Sequence, residues 1–360
     1  MKQRIINMYW WTRRHISTLA FASGFVVDTL TLTRIDMLYE NVVFVSYLLI
    51  AFVGILLVHG VETRLFAPAL LLRVRVWLPA LVQFPLGGLF SGFLIFYTKS
   101  ASVFASWPFL AVLFVLFVGN EFFHKRYEKL VFQISLYYIA LLSYLVLVVP
   151  VFLNTLGTAT FIFAGILSLF GISMLLLVIQ RLFPKLYQQG AVLLWSIIGL
   201  IYVGFNILYF TNTIPPVPLA LKEIGIYHSV VRTGGSYALV YERPEWYESW
   251  RKTSRLYHYN TGESAYCFTS IFAPERIGDT LIFHSWQKKT KDGQWVRESR
   301  VPYTIQGGRE QGYRGYSIKR NLTEGTWRCV VETERQQVIG ETRFNAVLVS
   351  DPVTTVSELQ

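Results

Sequence analysis

The sequence contains few charged residues, and its first part contains very few acidic ones. Charged residues make up 15% of the 360 residues, whereas soluble globular proteins have roughly 25%. Six of the 22 acidic residues lie within residues 1–213, which leaves 16 for the last 147 residues. This distribution excludes a soluble fold for the first part and predicts a membrane half followed by a soluble half.

The net charge of +11 does not predict a nucleic-acid-binding protein. The first 213 residues carry 14 Lys and Arg against 6 acidic residues, whereas the remainder carries 19 against 16. Most of the positive surplus therefore lies between apolar segments, where it orients a membrane protein. No RNA- or DNA-binding motif accompanies it, and we expect no nucleic-acid partner.

Long uncharged apolar runs predict transmembrane helices, each of which needs about 20 such residues to cross the bilayer. Six runs qualify: Asn41–His59, Val76–Tyr97, Ser100–Asn120, Leu130–Leu153, Leu156–Gln180 and Leu186–Phe210. A seventh run, Ile16–Thr33, contains Asp28 and has too short an apolar region before Ala20–Ala22 for a cleaved signal peptide. We therefore predict an all-α bundle of seven spans, and at least six.

Basic residues alternate between the two ends of these predicted spans. Twelve lie on the side of the N-terminus, whereas the opposite side has Arg34 and Lys99. The positive-inside rule places the N-terminus in the cytoplasm, so with seven spans the segment after Phe210 lies outside. The predicted location is a multi-pass protein of the inner membrane with a periplasmic C-terminal domain.

The C-terminal part changes to short alternating runs, which are typical of β-strands. Eight strands are predicted: Ile224–Val231, Ser236–Glu242, Ala265–Phe272, Thr280–Gln287, Gln294–Val301, Tyr313–Lys319, Trp327–Glu334 and Val338–Val349. Pro244 and the four-residue spacing of Trp246 and Trp250 predict one short helix over Arg243–Tyr257. The expected fold is an antiparallel β-sandwich with this helix packed on it.

These patterns give four predicted regions, whose bounds follow the change in composition. They are a transmembrane domain over residues 1–212, a Pro-rich linker over 213–220, an extracytoplasmic β-sandwich over 221–350 and a C-terminal tail over 351–360.

Both cysteines of the chain, Cys267 and Cys329, fall in the part predicted to be exported. An oxidising compartment permits a disulfide between them. Two separate buried thiols are the alternative, because strand adjacency cannot be read from the sequence and geometry decides pairing.

A co-linear set of residues resembles a bacterial family. The set comprises His284-Ser-Trp286, the stretch from Gly307 to Lys319, the stretch from Gly325 to Thr333, and Gly340-Glu-Thr-Arg343-Phe344. In these residues the chain resembles the bacterial domain of unknown function 2914, over roughly Phe272 to Val349. Its members are often fused to membrane segments, and the stretch from Gly24 to Asp36 resembles the first span of such fusions. The resemblance implies an all-β domain and carries over no activity, ligand or catalytic residue.

No catalytic, metal or cofactor motif stands out in the chain. The two cysteines are 62 positions apart, the six histidines are scattered, and no H-E-x-x-H pattern occurs. Gly307-Gly308 lacks the Lys-Ser/Thr and the strand-to-helix context of a P-loop, and no G-x-S-x-G elbow occurs. We predict no metal, cofactor or catalytic residue from the sequence.

One cluster of basic and aromatic residues is the leading candidate for a binding site. It combines Arg309, Arg314, Tyr316, Lys319 and Arg320 with Trp286 and Trp327 from neighbouring predicted strands. Arginine binds carboxylate or phosphate at two points, and aromatic rings stack on sugars or cations. The alternative is an ordinary half-exposed strand, with Arg and Tyr facing solvent and the tryptophans in the core.

Asp28 is the second candidate, because an ionisable side chain within a span is a functional hypothesis by default. Arg34 is its nearest basic neighbour in sequence. A structural bond to Arg34 or to another helix is the alternative.

The sequence therefore predicts a membrane protein that presents a periplasmic binding or interaction module. Its expected partners are the lipid bilayer and an envelope glycan, an anionic lipid headgroup or a protein. The alternatives are a transporter or membrane enzyme with its site near Asp28, and a purely structural envelope protein.

Overall fold

A computed structural model of the protein describes residues 25–32, 37–65, 78–100, 103–122, 129–216, 218–248, 251–274, 279–306 and 311–360. The chain divides into two compact units. The helical unit comprises Met1–Thr98 and Trp107–Thr211, and the β unit comprises Asn212–Gln360 together with Lys99–Ser106.

Long helices build the described part of the helical unit. They are α1 (Leu38–Glu62), α2 (Leu78–Lys99), α3 (Val103–Phe122), α4 (Leu130–Leu153), α5 (Thr158–Leu182) and α6 (Pro184–Phe210). Residues 25–31 are also helical, and residues 16–24 and 33 of the predicted first span lie outside the described residues. Pro85, Pro108 and Pro150 lie inside α2, α3 and α4, which membrane helices tolerate.

Five of these helices are long and apolar enough to cross a membrane: α1, α2, α4, α5 and α6. The apolar core of α3 is shorter and covers Ser106–Asn120. Large apolar side chains point outward on several helices, including Val192, which is 83% exposed, and Leu200, which is 72% exposed. Because water would disfavour such a surface, it indicates association with a lipid bilayer.

A tight turn connects α4 to α5, as the sequence predicts. Asn154 ends α4 in the left-handed conformation with φ 56°, and Gly157 precedes α5 with φ 132°. Glycine reaches such angles without steric cost, and asparagine tolerates the left-handed region. The one uncharged run in the sequence therefore becomes two helices.

The β unit contains eleven described strands. They are β1 (Ala220–Tyr227), β2 (Ser229–Thr233), β3 (Ser236–Tyr241), β4 (Leu256–Tyr259), β5 (Ala265–Phe272), β6 (Thr280–Lys289), β7 (Trp295–Ile305), β8 (Tyr313–Lys319), β9 (Gly325–Thr333), β10 (Val338–Leu348) and β11 (Val356–Leu359).

These strands form three sheets that are mostly antiparallel. The orders are β1-β5-β8, β4-β10-β9-β6-β7 and β11-β3-β2. The pairing of β4 with β10 is parallel, with Tyr257 opposite Ala346.

The first sheet packs against the five-stranded sheet through one set of alternating residues. Cys267 on β5 and Cys329 on β9 are fully buried and form a disulfide, with their Cα atoms 6.5 Å apart. The tryptophans 286 and 327 and Phe344 from the five-stranded sheet share this apolar cluster. The bridge therefore joins the two sheets through their common core.

The third sheet covers the opposite face of the first one. Phe268 on β5 is fully buried in a cluster with Tyr227, Val230 and Leu239. Because successive residues on a strand point to opposite sides, Cys267 and Phe268 place β5 in two different apolar clusters.

Three expectations from the sequence need correction. The helix over Arg243–Tyr257 is wrong, because the described residues there contain a 3-10 turn, Trp246–Glu248, and the strand β4. The strand expected over Ile224–Val231 is two strands, β1 and β2. The last ten residues, treated as a tail, include β11, which pairs with β3.

Removal of the disulfide should destabilise the β unit. The bridge closes a loop across 62 positions, for which the chain-entropy model gives about 4 kcal/mol. We expect the double variant Cys267→Ala, Cys329→Ala to unfold at a much lower urea concentration, as followed by tryptophan fluorescence. An unchanged midpoint, or two thiols that can be labelled in unreduced denatured wild type, would contradict the bridge.

Candidate functional site

The cluster predicted around β8 is divided between the two faces of its sheet. Ser317 lies opposite Cys267 and Tyr316 lies opposite Phe268. Residues 315, 317 and 319 therefore share the disulfide face, whereas Arg314 and Tyr316 share the face covered in part by the third sheet.

The two predicted tryptophans belong to the core. Trp286 is fully buried and its indole N–H donates a 3.0 Å hydrogen bond to Ser317 Oγ. Trp327 is 2% exposed, and Lys319 Nζ lies 5.2 Å from the centre of its ring. Trp286 and Lys319 therefore do not face the same surface as Arg314 and Tyr316, and Arg309 lies outside the described residues.

Three tyrosines and two arginines form the surface that we call the tyrosine patch: Tyr237, Tyr266, Tyr316, Arg232 and Arg314. The ring of Tyr316 lies 6.3 Å from that of Tyr237 and 6.1 Å from that of Tyr266. Tyr316 is 37% exposed, and the other two tyrosines are half-buried. The patch therefore presents a group of aromatic rings from strands β3, β5 and β8.

The two arginines of the patch have no carboxylate partner among the described residues. Arg314 donates a 2.8 Å hydrogen bond to the neutral amide oxygen of Gln311. Arg232 is exposed and lies opposite Tyr237 in the β2–β3 pair, so the two side chains share a face. Such guanidinium groups can bind an anionic ligand at two points.

The arginines on the five-stranded sheet differ from those of the tyrosine patch, because other protein groups already bond to their guanidinium groups. Arg328 stacks 4.3 Å from the centre of Trp295 and donates hydrogen bonds to Gln287 and Glu341. Arg300 donates to the buried carboxylate of Glu332 at 2.7 Å. These residues stabilise the sheet and have less capacity for a ligand.

A polar cluster around His284 lies in the core beside Trp286. The ring nitrogens of His284 each lie 2.9 Å from a hydroxyl oxygen, Nε2 from Thr269 and Nδ1 from Ser317. His284 is fully buried, and burial lowers its pKa from 6.5 to about 3. His284 therefore stays neutral in the folded protein at physiological pH.

A second polar cluster connects the third sheet to β4. Glu242 accepts hydrogen bonds from His228 at 3.0 Å and from His258 Nδ1 at 2.7 Å. Burial by itself would raise the pKa of Glu242, but the hydrogen bonds from the two histidines outweigh it and lower that pKa. The carboxylate remains charged and holds the two sheets together.

Among the described residues, one buried group has the residue types of a metal site, and its two cysteines are bonded to each other. Ligand atoms of Cys267, His284 and Cys329 lie within 4.8 Å of one another. Because the two sulfur atoms form the disulfide, neither is a thiolate ligand in this state.

In the helical unit, Asp28 has a partner on another helix. Ser91 of α2 donates a 2.6 Å hydrogen bond to the Asp28 carboxylate. This contact matches the structural alternative for Asp28, and Arg34 lies outside the described residues.

The sequence analysis missed Tyr237, Tyr266 and Arg232. Tyr237 lies within the predicted strand Ser236–Glu242, where alternation places it on the same face as Leu239. This alternation does not reveal that Tyr237 lies beside Tyr316 of β8, because the two residues come from strands that are distant in the chain.

Acid should destabilise the β unit through His284. The unfolded chain takes up a proton near pH 6.5, but the folded state does so only near pH 3, so stability is lost as the pH falls below 6.5. Between pH 6.5 and 5 this amounts to about 2 kcal/mol. In urea titrations, His284→Gln should lose less stability over this range than wild type does. Equal pH slopes in the two proteins would contradict the assignment.

Comparisons with solved structures each cover about a third of this chain. An immunoglobulin-like protein from Pseudomonas aeruginosa is 14% identical, with a TM-score of 0.20, and the match covers 35% of this chain and 97% of that one. A β-glucosidase from Listeria innocua is 14% identical, with a TM-score of 0.19, over 34% of this chain and 16% of that one. A comparison with curated proteins found no match.

The resemblance seen in the sequence is confirmed by a family model. The matched region runs from β6 into β10 and includes β8 with Arg314 and Tyr316. Residues 279–346 of this chain match the family described as protein of unknown function DUF2914.

Proposed function

We propose that this protein is a seven-span inner-membrane protein that presents a periplasmic β-sandwich as a binding module for an anionic envelope glycan. The observation that carries the proposal is the tyrosine patch, which places aromatic rings beside two arginines that have no carboxylate partner among the described residues.

The chemistry of the patch suits a charged sugar. Tyrosine rings bury apolar area at a low cost in conformational entropy and leave their hydroxyl groups able to form hydrogen bonds. The guanidinium groups of Arg232 and Arg314 supply paired donors for a carboxylate or phosphate on that sugar. An acidic protein partner offers anions but lacks the sugar faces for the rings.

Two features support the location. The five membrane-length helices and the bias of twelve basic residues against two favour a cytoplasmic N-terminus and a periplasmic β unit. The disulfide between Cys267 and Cys329 suits an oxidising compartment.

Binding to cell-wall material tests the tyrosine patch. We expect the detergent-solubilised full chain to be retained by purified peptidoglycan sacculi. Arg314→Ala and Tyr316→Ala should each reduce retention about tenfold, because each removes a charged hydrogen-bond donor or a stacking ring. Retention is measured by co-sedimentation.

Matched substitutions outside the patch serve as controls. Lys291→Ala and Tyr247→Ala alter an exposed cation and an exposed ring elsewhere in the β unit and should leave retention unchanged. Retention on polyglutamate beads instead of sacculi would favour an acidic protein partner. Loss of function in Asp28→Asn with a silent Arg314→Ala would favour the transporter alternative.

A reporter fusion tests the topology. Alkaline phosphatase, which folds in an oxidising compartment, should be active when fused after Gln360, because the β unit follows an odd number of spans. The opposite result would overturn the proposed location: an inactive phosphatase fusion, together with a fluorescent fusion of a protein that fluoresces only in the cytoplasm.

A further inference from the structure

A cavity of about 700 Å³ lies in the helical unit, where α1 ends and where α4 and α6 begin. This volume falls within the roughly 300–1,000 Å³ of small-molecule sites. On the proposed topology, these helix ends face the cytoplasm. The residues that line it all belong to the helical unit and include neither Asp28 nor a member of the tyrosine patch.

One part of the cavity wall is charged and polar. Its lining includes His59 and Glu62 from α1 and Lys129, which directly precedes α4. His59 is 1% exposed, and its ring nitrogens lie 3.1 Å from Glu62 Oε2 and 3.0 Å from Gln133 Oε1. These two contacts hold a buried imidazole against the carboxylate of Glu62.

Lys129 adds a cation to the same wall. No carboxylate lies within ion-pair distance of Lys129 in the part of the chain that the structure describes, whereas Glu62 contacts His59. The side chain of Glu62 is 62% exposed and therefore remains accessible to a ligand. The cavity thus offers one anionic and one cationic group.

The remaining wall is mostly apolar. Most of it comes from Leu130, Val131, Phe132, Leu186, Leu193 and Ile197, and the rest comes from Ser135, Gln189 and Gly190. A polar small molecule would leave this surface uncovered, whereas an amphiphile would cover it with its hydrocarbon part. Opposite charges beside an apolar wall complement a lipid with a zwitterionic headgroup.

We propose that this cavity binds one phospholipid with an ethanolamine headgroup, an inference that rests on the proposed membrane location. The lipid ammonium donates hydrogen bonds to Glu62, and Lys129 donates to the lipid phosphate. His59 is a positioning residue that holds Glu62 and is itself held by Gln133. The upper part of the acyl chains packs on Leu193 and Ile197.

Native mass spectrometry of the detergent-solubilised full chain tests this proposal with three added lipids: phosphatidylethanolamine, phosphatidylcholine and phosphatidylglycerol. We expect one retained phosphatidylethanolamine per chain and about tenfold weaker retention of the other two. The choline headgroup lacks N–H donors for Glu62, and phosphatidylglycerol lacks the ammonium group.

Substitutions then assign the two charges. Glu62→Gln should weaken retention of phosphatidylethanolamine about tenfold without weakening that of phosphatidylglycerol, and Lys129→Gln should weaken retention of both. Leu193→Trp, which narrows the apolar wall, should reduce retention of all three lipids. The control Lys185→Gln changes an exposed lysine in the first turn of α6 that is not part of the lining and should have no effect.

Equal retention of the three lipids, or a preference for phosphatidylglycerol, would overturn the proposal. So would retention of phosphatidylethanolamine that survives both charge substitutions. Each variant is compared with wild type for its melting temperature in lipid-free detergent, which separates a lost site from a lost fold. None of these outcomes depends on glycan binding, so a failure here is distinguishable from a failure of the tyrosine patch.

Discussion

The β unit depends on which side chains of β5 face each side of its sheet. The Cys267–Cys329 disulfide fixes this orientation. The bridge commits Cys267 to the core shared with the five-stranded sheet. Phe268 must then face the third sheet. In the β5–β8 pair, Ser317 lies opposite Cys267 and Tyr316 lies opposite Phe268. Ser317 therefore faces the core with the disulfide, and Tyr316 faces the side of the third sheet. A shift by one residue would bury Tyr316 and expose Ser317.

This alternation gives the two faces of β8 different chemistry. On the disulfide face, Ser317 bonds to His284 and to Trp286, so its hydroxyl is occupied by core groups. On the other face, Arg314 bonds to a neutral amide and Tyr316 stays partly exposed. Polar groups satisfied within the protein stabilise it, whereas a partly exposed arginine without a carboxylate partner can gain energy from a ligand anion. The proposed function depends on that difference.

The helical unit is governed by its apolar surface. Exposed side chains such as Val192 and Leu200 are costly in water and acceptable in lipid. Within this unit, polar side chains pair with each other, as Ser91 does with Asp28 and Gln133 does with His59. The proposed lipid site combines the two features, since its wall joins a polar pair to an apolar surface. In the proposal, the membrane half is therefore both an anchor and a lipid-binding unit.

The sequence by itself determined the division into two halves, because hydropathy, charge and the lengths of apolar runs are local properties. The same reasoning predicted the bounds of α4 to the residue, and those of β5 and β8. It was wrong over Arg243–Tyr257, where local signals favoured a helix but β4 instead gains its hydrogen bonds from β10, about 90 residues away in the chain.

Alternation along β8 was readable from the sequence, and so was the charge of Arg314. Tertiary structure alone decided which side of the sheet Tyr316 faces and which rings lie beside it. Tyr237 and Tyr316 meet because the third sheet packs on β5, and Cys267 meets Cys329 because two sheets share one core. Contacts of this kind follow from the burial of apolar surface between distant strands, which no local pattern encodes.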